Sequence, residues 1–133
     1  MVSQTKEITA IVQYISARPS SEALKETVTV SLDDDKAQKV VVIDLKGKTA
    51  IADYMIIASG TSQRQVSTMA EHLRVRLKSL GIKSVSVEGI SQGDWVLIDG
   101  GDVIVHLFRP EIREFYDLEK LWDNPMPRPG QVA

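Results

Sequence analysis

Apolar positions recur along this chain with two periods, and the switches between them mark out the elements. Leu24, Val28 and Leu32 fall four apart, with Glu22 in the first turn and Ser20 or Ser21 placed as N-caps, which predicts a helix. The β-branched stretch Thr27 to Val30 works against it on propensity alone. Val40 to Leu45 then predicts a buried strand, Lys46-Gly47-Lys48 a turn, and Tyr54 to Ala58 a second strand. After Ser59-Gly60-Thr61-Ser62 comes the clearest helical stripe. Val66, Met69, Ala70, Leu73, Leu77 and Leu80 are spaced by threes and fours, Ser62 can cap the start, and Gly81 can close the end.

Ser84 to Glu88 alternates as the next strand, so strand, helix and strand form a βαβ unit whose two strands should run parallel with a right-handed crossover. Trp95 to Asp99 and Asp102 to Phe108 flank Gly100-Gly101, which predicts a tight hairpin. Pro110 opens a final helix with Ile112, Phe115, Leu118 and Trp122 on one side, stopped by Asn124-Pro125. Residues 1–19, with Ile8, Ile11, Val12 and Ile15, read as an N-terminal extension, and residues 124–133 as a flexible tail. The expectation is one α/β domain over residues 20–123, a mixed sheet of about five strands with helices on one face.

A chain of 133 residues, 43% hydrophobic and 26% charged, suits one soluble globular domain. It has no cysteine, which excludes disulfides, thiolate catalysis and cysteine-held zinc or iron–sulfur centres. Apolar runs such as Val40 to Ile43 are far short of the ~20 residues of a membrane helix. No membrane partner and no signal peptide are expected. A net charge of −2 argues against direct nucleic-acid binding, which depends on clustered Lys and Arg displacing counterions. The charge is unevenly spread. Arg64, Arg74, Arg76, Lys78 and Lys83 dominate one stretch, whereas Ser86 to Asp123 is mostly acidic, a pattern that would steer the chain onto a basic partner.

Candidate chemistry is sparse. The Ser59 to Ser62 turn opens a helix where backbone N–H groups favour an anion, yet neither a Walker lysine nor a G-x-G-x-x-G run accompanies it. Asp33-Asp34-Asp35 reads as a solvated helix end in preference to a metal loop. Asp94, Asp99 and Asp102 flank the hairpin, where Asp also serves simply as a turn residue. His106 shares a strand side with Asp102, Ile104 and Phe108, without a nucleophile placed beside it, and His72 shows no ligand partner. Trp95 is the most informative residue, because a tryptophan at a strand start either plugs a core edge or anchors a partner.

The blocks Ile51-Ala52-Asp53-Tyr54-Met55-Ile56-Ile57-Ala58-Ser59-Gly60-Thr61-Ser62, Val87-Glu88-Gly89, Asp94 to Asp99, Gly101 to His106 and Phe115-Tyr116-Asp117-Leu118-Glu119-Lys120-Leu121-Trp122, in that order, closely resemble the ribosomal silencing factor family, RsfS, also called Iojap-like. The resemblance runs from about Ser20 to Asp123. It implies a translational repressor that binds the large ribosomal subunit through ribosomal protein L-fourteen and blocks association with the small subunit. It also implies a nucleotidyltransferase-like fold, which makes an enzyme or nucleotide-binding module the alternative. Such enzymes hold two metals with a carboxylate pair on the strand after the helix. Here that strand offers only Glu88, with Ser86 where the partner is needed, so no enzyme activity, cofactor or metal is expected. On the binding reading Asp94, Trp95, Asp99, Asp102 and His106 are the contact residues. The resemblance allows a homodimer in the free protein, and the lack of an Arg-rich targeting segment points to the bacterial cytoplasm.

Overall fold

A computed structural model describes residues 19–123, with the side chains of Trp122 and Asp123 outside the description. The expectations for the N-terminal extension, the C-terminal tail and the Trp122 side chain therefore fall outside the described residues. The elements in chain order are α1 (Ser21–Asp34), β1 (Gln38–Asp44), β2 (Tyr54–Ser59), α2 (Gln63–Ser79), β3 (Ser86–Glu88), β4 (Trp95–Asp99), β5 (Val103–Phe108), α3 (Pro110–Tyr116) and α4 (Leu118–Asp123).

The five strands form one mixed sheet in the order β1-β2-β5-β4-β3. Only β2 and β5 pair in parallel, and the other neighbours are antiparallel. Two antiparallel steps separate β3 from β5, so β3 does run in the direction of β2, as the βαβ pattern implies. It is not β2's neighbour, however. β5 takes that place, because its Val103, Val105 and Leu107 are fully buried and belong at the sheet centre, whereas β3 has three residues and an exposed–intermediate–exposed pattern suited to an edge.

Alternation sends Tyr54, Ile56 and Ala58 of β2, Val96 and Ile98 of β4, and Val103, Val105 and Leu107 of β5 to one face, where α1 and α2 cover them. Leu24, Val28 and Leu32 supply the α1 stripe; the β-branched residues do not prevent the helix, since burying that stripe outweighs propensities of a few tenths of a kcal/mol. Ser20 Oγ accepts from Ala23 N–H at 3.1 Å and Ser62 Oγ from Gln65 N–H at 3.0 Å, so both predicted caps form. Gly60 is required by proximity, because a Cβ there would lie 2.9 Å from both Met69 Cε and Val66 Cγ2. The acidic run at the α1 end is pinned to α2. Asp34 pairs with Arg76 at 3.2 Å and Asp35 with His72 at 2.7 Å, a partner for the histidine that the sequence did not reveal. At the opposite end of α1, Tyr54 donates to Glu22, which also pairs with Lys25 and Lys46.

Three local expectations need correction. The strand expected to be buried over Val40 to Leu45 is an edge strand, with Val40 and Val42 exposed and Ile43 the one buried residue of β1. The tight turn is one residue further on than Gly100-Gly101: Gly100 N–H donates to Val103 O at 2.9 Å, leaving Gly101 and Asp102 as the central pair, with φ of 89° at Gly101. Gly101 adopts this left-handed φ at no steric cost, and its N–H donates to Asp99 Oδ1 at 2.9 Å. The final helix is also broken in two. Asp117 takes φ 47° and donates its N–H to Arg113 O at 2.8 Å, closing α3 in a left-handed cap. The single stripe is lost: Ile112 and Leu118 pack on the sheet, while Phe115 is 80% exposed.

α3 and α4 cover the second sheet face only over its β1–β2–β5 side, around Ile43, Leu45, Ala52, Met55, Ile57 and Phe108. Their clamp is Arg113. Its guanidinium, on a side chain 9% exposed, donates to Glu119 Oε1 at 2.6 Å, to the Lys39 carbonyl at 2.7 Å and to Ser59 Oγ at 2.9 Å. The Lys39 carbonyl is presented by a bulge in β1, where Gln38 pairs with Ser59 and Val41 with Ile57. Arg113→Met strands Glu119 and the Lys39 carbonyl, and it should lower the unfolding free energy by about 3 kcal/mol, measured by urea titration.

Candidate partner-binding face

The part of the second face that α3 and α4 leave open belongs to β3, β4 and β5. Register places Glu88 beside Leu97 and Ser86 beside Asp99, and across β4 and β5 it pairs Trp95 with Phe108, Leu97 with His106 and Asp99 with Ile104. These side chains share one face by the two-residue period. Leu97 and Ile104 are partly exposed, and Glu88, Asp99 and Asp102 are exposed. None of these three acids has an ion-pair partner among the described residues. Asp99 Oδ1 accepts from Gly101 N–H at 2.9 Å, which fixes its carboxylate at the turn and leaves its charge unneutralised.

Trp95 stands where the open face meets α3. Its ring stacks on Phe108 at 5.0 Å between centroids and meets Tyr116 at 4.7 Å, and Phe115 closes edge-on against Tyr116 at 5.1 Å. Half-exposed Tyr116 and largely exposed Phe115 therefore extend an aromatic strip outward from Trp95. The indole N–H donates to Nδ1 of His106 at 3.0 Å. That bond assigns the neutral imidazole tautomer with its proton on Nε2. His106 itself is 8% exposed, under the aromatic strip, and burial pushes its pKa down to about 4.

The five residues expected to share a contact surface are thus divided. Trp95 and His106 touch; Asp99 and Asp102 are at the hairpin end of the same face. Asp94 is at the other end of β4, roughly 16 Å from Asp99 at ~3.3 Å per strand residue. It accepts from Gln63 Nε2 at 3.0 Å and from Arg109 Nε at 2.7 Å, and these two partners, Gln63 first, hold its carboxyl below the usual range. Asp94 is a pin between the start of α2 and the end of β5. Glu88, Leu97, Ile104, Phe115 and Tyr116 join the face without having been singled out in sequence. Only the alternation of β3 and β4 hinted at Glu88 and Leu97, and the expected apolar stripe placed Phe115 on the packed side, where the structure leaves it 80% exposed.

The turn at Gly60–Ser62 is occupied by its own helix: Thr61 N–H and Oγ1 both donate to Gln65 Oε1, at 2.7 and 2.9 Å. Glu88 is on the far edge strand, with β4 and β5 between it and β2. Among the described residues no three His, Asp or Glu side chains converge as metal ligands.

Fold and face together define a small α/β protein with one sheet surface only partly covered by the described residues, aromatic at one end and acidic at the other. The family model described as ribosomal silencing factor during starvation matches residues 18–131. A ribosomal silencing factor of Zymomonas mobilis is 54% identical over 101 residues, covering 76% of each chain. A crystal structure of a Chromobacterium violaceum protein is similar with a TM-score of 0.76 at 35% identity, over 86% of this chain and 95% of that one. Mouse mitochondrial assembly of ribosomal large subunit protein 1 is 38% identical over 94 residues, which are 68% of this chain and 41% of that protein. The chain belongs to the ribosomal silencing factor family, the RsfS or Iojap-like proteins.

Buried His106 makes stability depend on pH. Its folded pKa of about 4 is below the ordinary 6.5, so the unfolded chain binds this proton first as pH falls. Stability from this group is complete above 6.5 and declines toward 4, by roughly 3 kcal/mol in all. Unfolding curves at pH 7 and pH 4.5 should converge more closely for His106→Gln than for the natural sequence; an equal drop in both would contradict this.

Proposed function

We propose that this chain represses translation by binding the large ribosomal subunit through ribosomal protein L-fourteen, and that the bound protein stands in the way of the small subunit. Family membership supports a ribosome-silencing role, and the mouse relative is named for assembly of a ribosomal large subunit. The observation that carries the reading is this partly exposed face, where Glu88, Asp99 and Asp102, without ion-pair partners among the described residues, border an apolar centre of Trp95, Leu97 and Ile104. Such a surface complements a basic protein with an apolar contact patch. The acids steer the encounter and select the partner's sign, while the aromatic group supplies most of the affinity on desolvation.

Among the described residues no helix is long and apolar enough to cross a membrane. Asp94 is assigned a supporting part, since Arg109 and Gln63 already occupy it. Glu88 replaces it as the third partner-facing charge.

Co-sedimentation with isolated large subunits tests the proposal. Trp95→Ala should cost about 2 kcal/mol of binding, near thirtyfold in Kd, and should release the block on subunit joining. Thermal unfolding of the same sample separates this loss from unfolding. A folded Trp95→Ala protein that binds like the natural one would sink the proposed face. Asp99→Lys should mainly slow association and flatten its salt dependence, read from stopped-flow traces at two ionic strengths.

A further inference from the structure

We infer that His106 is a positioning residue for Trp95: it does not meet the partner, but holds the indole in the orientation that the partner finds. The inference rests on the binding reading above and adds to it the device that prepares its anchor.

Trp95 is partly exposed at the first position of β4, and an indole there has two side-chain torsions to immobilise before it can serve as a rigid contact. Ordering such a side chain during association costs affinity, and ordering it beforehand recovers that loss. Three contacts do this. Phe108 supports one ring face and Tyr116 flanks the indole, at 5.0 and 4.7 Å between centroids, but apolar stacking leaves the ring free to slide or flip. The third contact is directional. An indole N–H can only donate, and its acceptor among the described residues is Nδ1 of His106 at 3.0 Å. His106 is in turn held, stacked 10° from parallel with Phe108 and paired across the ladder with Leu97. At 8% exposure it has little surface left to offer a partner. A histidine bridging two strands for stability alone has no need to face the partly exposed indole of β4 with its acceptor nitrogen.

The test uses the full chain and isolated large subunits, with Trp95→Phe, His106→Leu, His106→Asn and the Trp95→Phe/His106→Leu double variant. Asn carries an acceptor oxygen close to the Nδ1 position, whereas Leu carries none. His106→Leu should weaken binding about fivefold to tenfold, the scale of one hydrogen bond, and His106→Asn should recover most of it. In the Trp95→Phe background, which has no N–H to orient, His106→Leu should have no further effect. The Trp95 indole N–H resonance of the free protein should shift in His106→Leu and return toward its natural position in His106→Asn, a readout that lost stability by itself does not move. Additive losses in the double variant, an Asn variant as weak as the Leu variant, or an unmoved indole resonance would each overturn the inference alone. Natural binding by Trp95→Ala would remove the binding reading, and this inference with it.

Discussion

The parallel pairing of β2 with β5 is the constraint on which everything else hangs. It aligns Tyr54 with Val103 and runs without a break to Ser59 and Phe108. β5 can reach that place only after α2, β3 and β4 have been laid down. All six β2 residues are buried, because this strand pair needs cover on both faces. Long helices meet that need on one side. On the other, two short helices must do it, and Arg113 ties them down by joining α3, α4, the β1 bulge and the end of β2 in one hydrogen-bonded knot. Their reach ends at Trp95, which Tyr116 meets from α3.

That limited reach makes the functional surface. The long helices α1 and α2 cover the centre of one face and the short helices only part of the other, so side chains of β3, β4 and β5 on that second face stay partly exposed. On a protein that worked alone, such a surface would be expected to carry polar residues throughout. Here it is apolar at Trp95, Leu97 and Ile104 and acidic only at its border. At the end of α3, before the αL cap at Asp117, Phe115 stands outward beside Tyr116 and adds to it. Helix covering and partner docking are thus two outcomes of one packing decision.

Side-chain chemistry then separates roles that look alike on paper. Asp94 and Asp99 are both acids at the ends of β4, yet Asp94 is paired with Arg109 and Asp99 has no ion-pair partner among the described residues. His72 and His106 are both single histidines. The first is half exposed with its Nδ1 2.7 Å from Asp35 Oδ2, while the second is buried and neutral because desolvation disfavours its charged form.

What the sequence determined by itself was whatever depends on neighbours a few positions away. The period of Val66, Met69, Ala70 and Leu73 makes a helix in any setting that buries it, Ser20 and Ser62 cap because their own N3 amides are within reach, and the alternation of β5 puts His106 opposite Leu107 whatever its neighbours. Trp95 stood out for the same local reason, a large indole at a strand start. Strand order, the capture of Asp94, the arrival of Glu88 and Leu97 on the Trp95 face and the bond from Trp95 to His106 were decided only by the tertiary structure. Each joins residues that chain statistics treat as independent. Periodicity states which side of a strand is apolar, but the strand beside it is chosen by which arrangement buries most of the sheet, and that is a property of the whole molecule.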